Sequence, residues 1–294
     1  MAYTLPHDIA GNISLEEYLD AVSRTLDVND EDSILATAPL LAALANNRDF
    51  LVDRFNKELL GWQNFQPANG YSSQTLMLGA GPRFAVRANM WVPIDVDRAM
   101  WDWESKLYAY SRPHDHNFSF LTVGYLGPGY RTQIFEYEPT SIAGVAGEDV
   151  DLQFLEDTEL PEGKIMFYRA SRDIHSQEPP PAFSMSINLM VVSAGLGARD
   201  QYWFDLDKGK VTGYVQTPAT SQLMMCQLAQ WFPDDSTADA LDQVAASAPS
   251  PRVRAAAYGS LAVLRPDSAE SLSKRAAADP DPLVQALVVE NRSL

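Results

Sequence analysis

Pro113-His114-Asp115-His116 is the stretch on which the sequence turns, and His175 stands further along. The chain has four histidines, and three of them fall in these two places. In an extended strand residues i and i+2 share a face, so His114 and His116 present two imidazoles side by side. Two such imidazoles with a third from a neighbouring strand make a compact facial site for iron, copper, nickel or zinc. Positions remain open there for a ligand.

The composition bounds what such a site can serve. With 294 residues, 46% hydrophobic and 21% charged, the chain is an ordinary globular protein of one large domain or a main domain with an appendage. A net charge of −17 and the lack of any basic block exclude nucleic acid and anionic membrane as partners. Cys226 is the single cysteine, so there is no disulfide framework; its apolar run Leu223-Met224-Met225-Cys226 suits a buried structural thiol. The first residues lack the basic and apolar regions of a signal peptide, and no apolar run reaches membrane-spanning length. A cytoplasmic location is expected.

Outward from the histidines, the chain reads as three regions. Residues 1–61 are helical. Ser14 and Glu17 form a capping box, followed by Leu15, Tyr18, Leu19, Val22 and Leu26 at helical spacing. A second helix spans 31–46, with Pro39 placed to split it, and a third spans 49–60 until Gly61. Residues 62–217 are rich in short Val, Ile, Tyr, Phe and Trp runs punctuated by Gly, Pro and Asn. Strands are expected over 75–78, 84–92, 106–110, 118–125, 130–137, 153–159, 163–169, 174–177, 184–192 and 201–205. Their number and spacing suit a mainly β, eight-stranded jelly roll with extra edge strands. Residues 218–294 return to helix. There Pro251-Arg252-Val253-Arg254 and Pro282-Leu283-Val284-Gln285 echo each other 31 residues apart, each with Pro at a helix start. The pattern resembles a pair of HEAT-like repeats, which dock on the main domain or on a protein or peptide partner.

The central region resembles the cupin superfamily, and within it the cysteine-dioxygenase-like branch. His114-Asp115-His116 matches the first cupin signature, and Gly127 stands where its glycine belongs. Phe120 occupies the place of the signature's glutamate, a loss that marks the thiol dioxygenases. Pro161-Glu162-Gly163 followed by Asp173-Ile174-His175 resembles the second signature of the bacterial members. The resemblance covers residues 80–195. It implies a jelly-roll barrel in which His114, His116 and His175 hold Fe(II), and a small-molecule substrate and O2 as reactants. Departures follow the third histidine. Ser186-Ile187-Asn188-Leu189-Met190 keeps the serine of the family's Ser-x-His-x-Tyr strand, but Asn188 and Met190 replace its histidine and tyrosine. Leu121 stands near the place of the crosslinking cysteine.

Expected roles follow from this resemblance and from the residue chemistry. An early-strand arginine, Arg87 or the nearby Arg83, binds a substrate carboxylate through its bidentate fork. Gln133, Gln177, Tyr137, Ser186 and Asn188 orient ligands or substrate from facing strands. The resulting expectation is an iron-dependent, cysteine-dioxygenase-like oxygenase of a small thiol- or amino-acid-type substrate. Two alternatives are a three-histidine oxygenase or hydroxylase acting on a non-thiol metabolite or peptide, and a non-catalytic cupin scaffold with a protein-binding tail.

Overall fold

The computed structural model describes residues 3–5, 11–67, 69–71, 73–94, 98–193, 197–215, 218–231, 233–234 and 236–289. The chain forms two compact units, Met1–Glu136 with Gln153–Leu196, and Tyr137–Leu152 with Gly197–Leu294.

The first unit opens with β1 (Tyr3–Leu5) and four helices: α1 (Leu15–Thr25), α2 (Glu31–Leu35), α3 (Ala38–Asn46) and α4 (Asp49–Leu60). The capping box forms as expected, with Ser14 and Glu17 each accepting from the other's backbone N–H. Pro39 lies in the first turn of α3, where its missing N–H costs no intrahelical bond, and so it divides 31–46 into two helices. Gly61 caps α4.

Eight further strands and one helix follow: β2 (Thr75–Ala80), β3 (Phe84–Trp91), α5 (Arg98–Tyr108), β4 (Ser119–Leu126), β5 (Arg131–Glu136), β6 (Gln153–Glu159), β7 (Ile165–Tyr168), β8 (Asp173–Gln177) and β9 (Ser184–Val191). They make a six-stranded sheet in the order β1-β7-β4-β9-β3-β2 and a three-stranded sheet in the order β6-β5-β8, every pairing antiparallel. Period-two alternation divides the large sheet's side chains between two buried layers. Val86, Ala88, Leu121, Val123, Phe167, Ile187 and Leu189 pack with Tyr18, Val22, Leu41 and Leu44 of the helices. Trp91, Phe120, Met166, Tyr168 and Met190 pack in a second cluster with Tyr110, Tyr130 and Ile134. With both faces covered, β9 is buried along its whole length.

The expected strand at 106–110 is a correction. Lys106, Leu107 and Tyr108 are the last turn of α5, and the chain then breaks at Ala109 and Ser111, which take left-handed φ values of 55° and 53°. The stretch continues a helix in which Ser105 is buried while Asp102, Trp103 and Lys106 are exposed.

The second unit contains the hairpin β10 (Tyr202–Asp205) and β11 (Lys210–Tyr214). Its helices are α6 (Pro218–Ala229), α7 (Thr237–Ser247), α8 (Pro251–Leu264), α9 (Ala269–Ala277) and α10 (Pro282–Val284), the last running on into a π-helical turn over Gln285–Val289. Both echoing prolines open helices, behind N-caps Ser250 and Asp281. Arg252 is buried against Asp200 at 2.6 Å and lies over the Tyr214 ring, and Arg254 pairs with Asp279 at 2.7 Å. Cys226 is buried and burial raises its pKa, the behaviour of a structural thiol.

Candidate functional site

The three histidines meet because two backbone segments pair. His114 and His175 exchange both backbone hydrogen bonds, at 3.0 and 2.9 Å. In an antiparallel bridge such partners send their side chains to one face, and the two rings stand 4.6 Å apart. His116 lies outside any strand. Its carbonyl accepts from the N–H of Ser171, which sits at φ 51° in the turn before β8. That anchor brings its ring to 4.9 Å from His114 and 5.1 Å from His175. One ligand nitrogen from each of the three lies within 4.8 Å of the others.

The donor set fits a divalent transition metal. His114 Nδ1 is 2.8 Å from the carbonyl oxygen of Arg112, which only accepts, so Nδ1 carries the proton and the ligating lone pair is that of Nε2. His116 Nε2 and His175 Nε2 are 3.1 Å apart. Two nitrogens at right angles around one ion, each about 2.1 Å from it, are separated by about 3.0 Å. Burial, with the charges of Arg87 and Arg112 adding to it, lowers the pKa of His114 to about 4; its bond to the Arg112 carbonyl opposes this. Burial and the neighbouring His114, His116 and Arg87 hold His175 well below its ordinary value. Neutral imidazole is the form that ligates. Gln177 places its amide 3.0 Å from His175 Nδ1 and leaves Oε1 buried without a partner. Turned over, the same amide accepts an Nδ1–H from His175 and frees Nε2 as the ligand atom. Phe120, in the glutamate's place, sets its ring 5.3 Å from His116 and 5.7 Å from His175, stacked on Tyr168 at 4.5 Å. Among the described residues no carboxylate joins the three histidines.

The large sheet presents a row of side chains toward the same interior. Met77, Arg87, Asn188, Thr122 and Met166 are successive cross-strand partners from β2 to β7. Asn188 Oδ1 accepts from Thr122 Oγ1 at 2.8 Å. Ser186 is occupied: its Oγ accepts from the indole N–H of Trp91 at 3.0 Å. Arg87 is 8% exposed, and its Nε has no hydrogen-bond partner. Its guanidinium lies 4.8 Å from the Tyr71 ring centroid and 5.9 Å from that of Phe118. Burial lowers its pKa, but guanidinium remains charged at neutral pH.

Three of the expected residues are not brought into this group. Arg83 is exposed in the β2–β3 turn. Gln133 sits one residue out of phase with Ile134, the cross-strand partner of His175, and donates to Asp157. Tyr137 belongs to the second unit, where its ring packs on Phe204 at 5.4 Å. Sequence reasoning missed Tyr71 and Tyr130, both close enough to act electrostatically on Arg87. It also missed Thr132, the buried cross-strand partner of Gln177. No residue pattern marked Tyr71, because a loop places it.

No family model and no curated protein matches the chain. Among solved structures it is similar to one of DMSP lyases at 18% identity, over 39% of this chain and 40% of that one, with a TM-score of 0.23. It is similar to hydroquinone 1,2-dioxygenase of Sphingomonas sp. TTNP3 at 7% identity, over 43% and 70% of the two chains, with a TM-score of 0.28. It is also similar to a cupin domain of Bordetella pertussis Tohama I at 9% identity, over 42% and 96%, with a TM-score of 0.23. The chain thus spans less than half of the lyase structure. Likenesses this distant decide neither family nor activity, and the functional reading rests on the residues themselves.

Proposed function

We propose that this chain is a mononuclear non-haem oxygenase of the cupin type. His114, His116 and His175 hold Fe(II), and a small carboxylate-bearing substrate of the thiol- or amino-acid type is oxidised with O2. The observation that carries the reading is the convergence of three imidazoles, those of His114 and His175 buried and held neutral and that of His116 half-buried, beside the buried Arg87, whose Nε makes no hydrogen bond. Ferrous iron, when bound, supplies a redox-active centre with coordination positions that three imidazoles leave open.

The remaining work falls to the chain's own side chains. Arg87 pairs with the substrate carboxylate and fixes its orientation relative to the histidines. The aromatic cluster of Trp91, Tyr110, Phe118, Phe120, Tyr130 and Tyr168 excludes water, which strengthens that pairing. The Arg112 carbonyl and the Gln177 amide, turned over so that its oxygen accepts from His175 Nδ1, hold two imidazoles in their ligating tautomers. Asn188 and Met190 favour a second reading, a non-thiol substrate. Where the thiol-dioxygenase resemblance has histidine and tyrosine, these residues offer neither an acid–base group nor a phenol.

The test is purification without oxygen, metal analysis, then oxygen consumption against thiols, amino acids and simple carboxylates. One iron per chain, lost in His175→Ala, is expected, with uptake dependent on one substrate class. A chain that takes up no metal, with the histidines intact, would leave the scaffold reading. In that reading the helices of the second unit are a HEAT-like module that recruits a protein or peptide.

A further inference from the structure

Arg87 carries more information than a charge near the histidines. Its same-strand neighbours Ala85 and Asn89, its cross-strand partners Met77 and Asn188, and the flanking Met190 and Ser186 are all neutral. Tyr71 and Phe118 lie at cation–π distance. Rings that lie over the face of a guanidinium leave the N–H groups in its plane unoccupied. The buried, partnerless Nε is one of them.

Tyr71 divides this buried cation from solvent. It is 46% exposed, whereas Arg87 is 8% exposed. Its hydroxyl reaches Met190 Sδ at 3.7 Å, so one ring touches both the arginine's strand and β9. A strap of side chains holds it there. Gln66 donates to the Met77 carbonyl at 2.8 Å and accepts from the Met77 N–H at 2.9 Å. Asn69 donates to the Thr75 carbonyl at 2.8 Å and accepts from the Tyr71 N–H at 3.0 Å.

We propose that Tyr71 is the gate and specificity residue of an anion subsite on Arg87, which takes the carboxylate of a ligand with an apolar body and no ammonium group. The proposal rests on the reading of Arg87 as the substrate clamp and narrows it. A bare carboxylate meets the free N–H fork and the aromatic walls. The ammonium of an α-amino acid would meet another cation, and among the described residues no carboxylate acts on Arg87 that could pair with it. Tyr71 must swing aside for entry and then closes over the ion pair.

The test uses the full chain, as purified and again after chelation, with phenylacetate, phenylglycine and the neutral phenylacetamide as probes. Calorimetry is expected to give tighter binding of phenylacetate than of either comparator, by roughly tenfold or more. Stopped-flow fluorescence is expected to show Tyr71→Ala raising both association and dissociation rates and weakening phenylacetate roughly three- to tenfold, with Tyr71→Phe close to wild type. Equal affinity for phenylacetate and phenylglycine, or unchanged association in Tyr71→Ala, would overturn the proposal. Arg87→Lys keeps the charge and removes the fork, and is expected to lose the selectivity without unfolding. If Arg87→Lys binds phenylacetate normally, the clamp itself is wrong. If Arg87 matters and Tyr71 does not, only the gate is wrong.

Discussion

Arg169→Met is expected to destabilise the first unit by about 3–5 kcal/mol, the cost of stranding a buried charge. Arg169 Nε and Nη2 both reach the Asp173 carboxylate, the shortest contact being 2.5 Å, and Nη2 also reaches Glu136 at 2.6 Å. The Arg169 backbone N–H adds a bond to Asp173 at 2.7 Å. The two carboxylates differ in what happens when the arginine goes. The Glu136 side chain is 24% exposed and rehydrates, whereas that of Asp173 is 0% exposed and cannot. The deficit is therefore almost wholly Asp173's. Arg169→Met with Asp173→Asn removes both charges and keeps an acceptor for the backbone N–H, so it is expected to recover at least half of the loss. Hydrogen exchange of β8 amides across a urea series reads the first unit alone, and the single variant is expected to shift its opening midpoint down by about 1–2 M. A single-variant loss under about 1 kcal/mol, the range of an exposed pair, would refute the reasoning. So would a double variant no more stable than the single.

Two further outcomes test other parts of the molecule. Leu121→Ala, at a fully buried position between β4 and the helices, is expected to cost about 2–5 kcal/mol in the same exchange experiment while leaving metal stoichiometry unchanged. In the second unit, burial acts to raise the Asp279 pKa, but the hydrogen bonds from Arg254 and from the Asp281 N–H outweigh it and hold the group below its ordinary value. Its contribution is therefore complete above the unfolded carboxylate pKa of about 3.9 and is lost as pH falls through the lower folded value. Acid unfolding of α8 and α9 is expected to flatten over that window in Asp279→Asn.

The readable parts of the sequence were those in which one local pattern sufficed. The capping box at Ser14, the proline split at Pro39 and the glycine stop at Gly61 are each decided within a few residues. β3, β4 and β9 are legible because both sheet faces are covered, so each reads as a nearly continuous run of apolar, branched and aromatic residues. The 106–110 stretch misled because Leu107, Tyr108 and Tyr110 make a short apolar and aromatic run like a strand's, although Lys106, Leu107 and Tyr108 close a helix. β1 has three residues and β11 follows a turn at Gly209, too little signal in either case. For the site, His114, His116, His175 and Arg87 came from motif and resemblance. Gln133 failed through a shift of one residue, which sends a side chain to the opposite face of its strand. Tyr71 owes its position to hydrogen bonds made by Gln66 and Asn69, a tertiary arrangement that no spacing rule encodes.

The strap has a consequence apart from any ligand. β2 is the last strand of its sheet, so its outward N–H and C=O groups would form a template for strands of other molecules. The Gln66 amide pairs with both backbone groups of Met77 as a neighbouring strand would, and Asn69 covers the carbonyl of Thr75. Gln66 and Asn69 thus occupy the middle of an open edge that cross-β growth would need, so the residues that position the tyrosine over the arginine also blunt that edge.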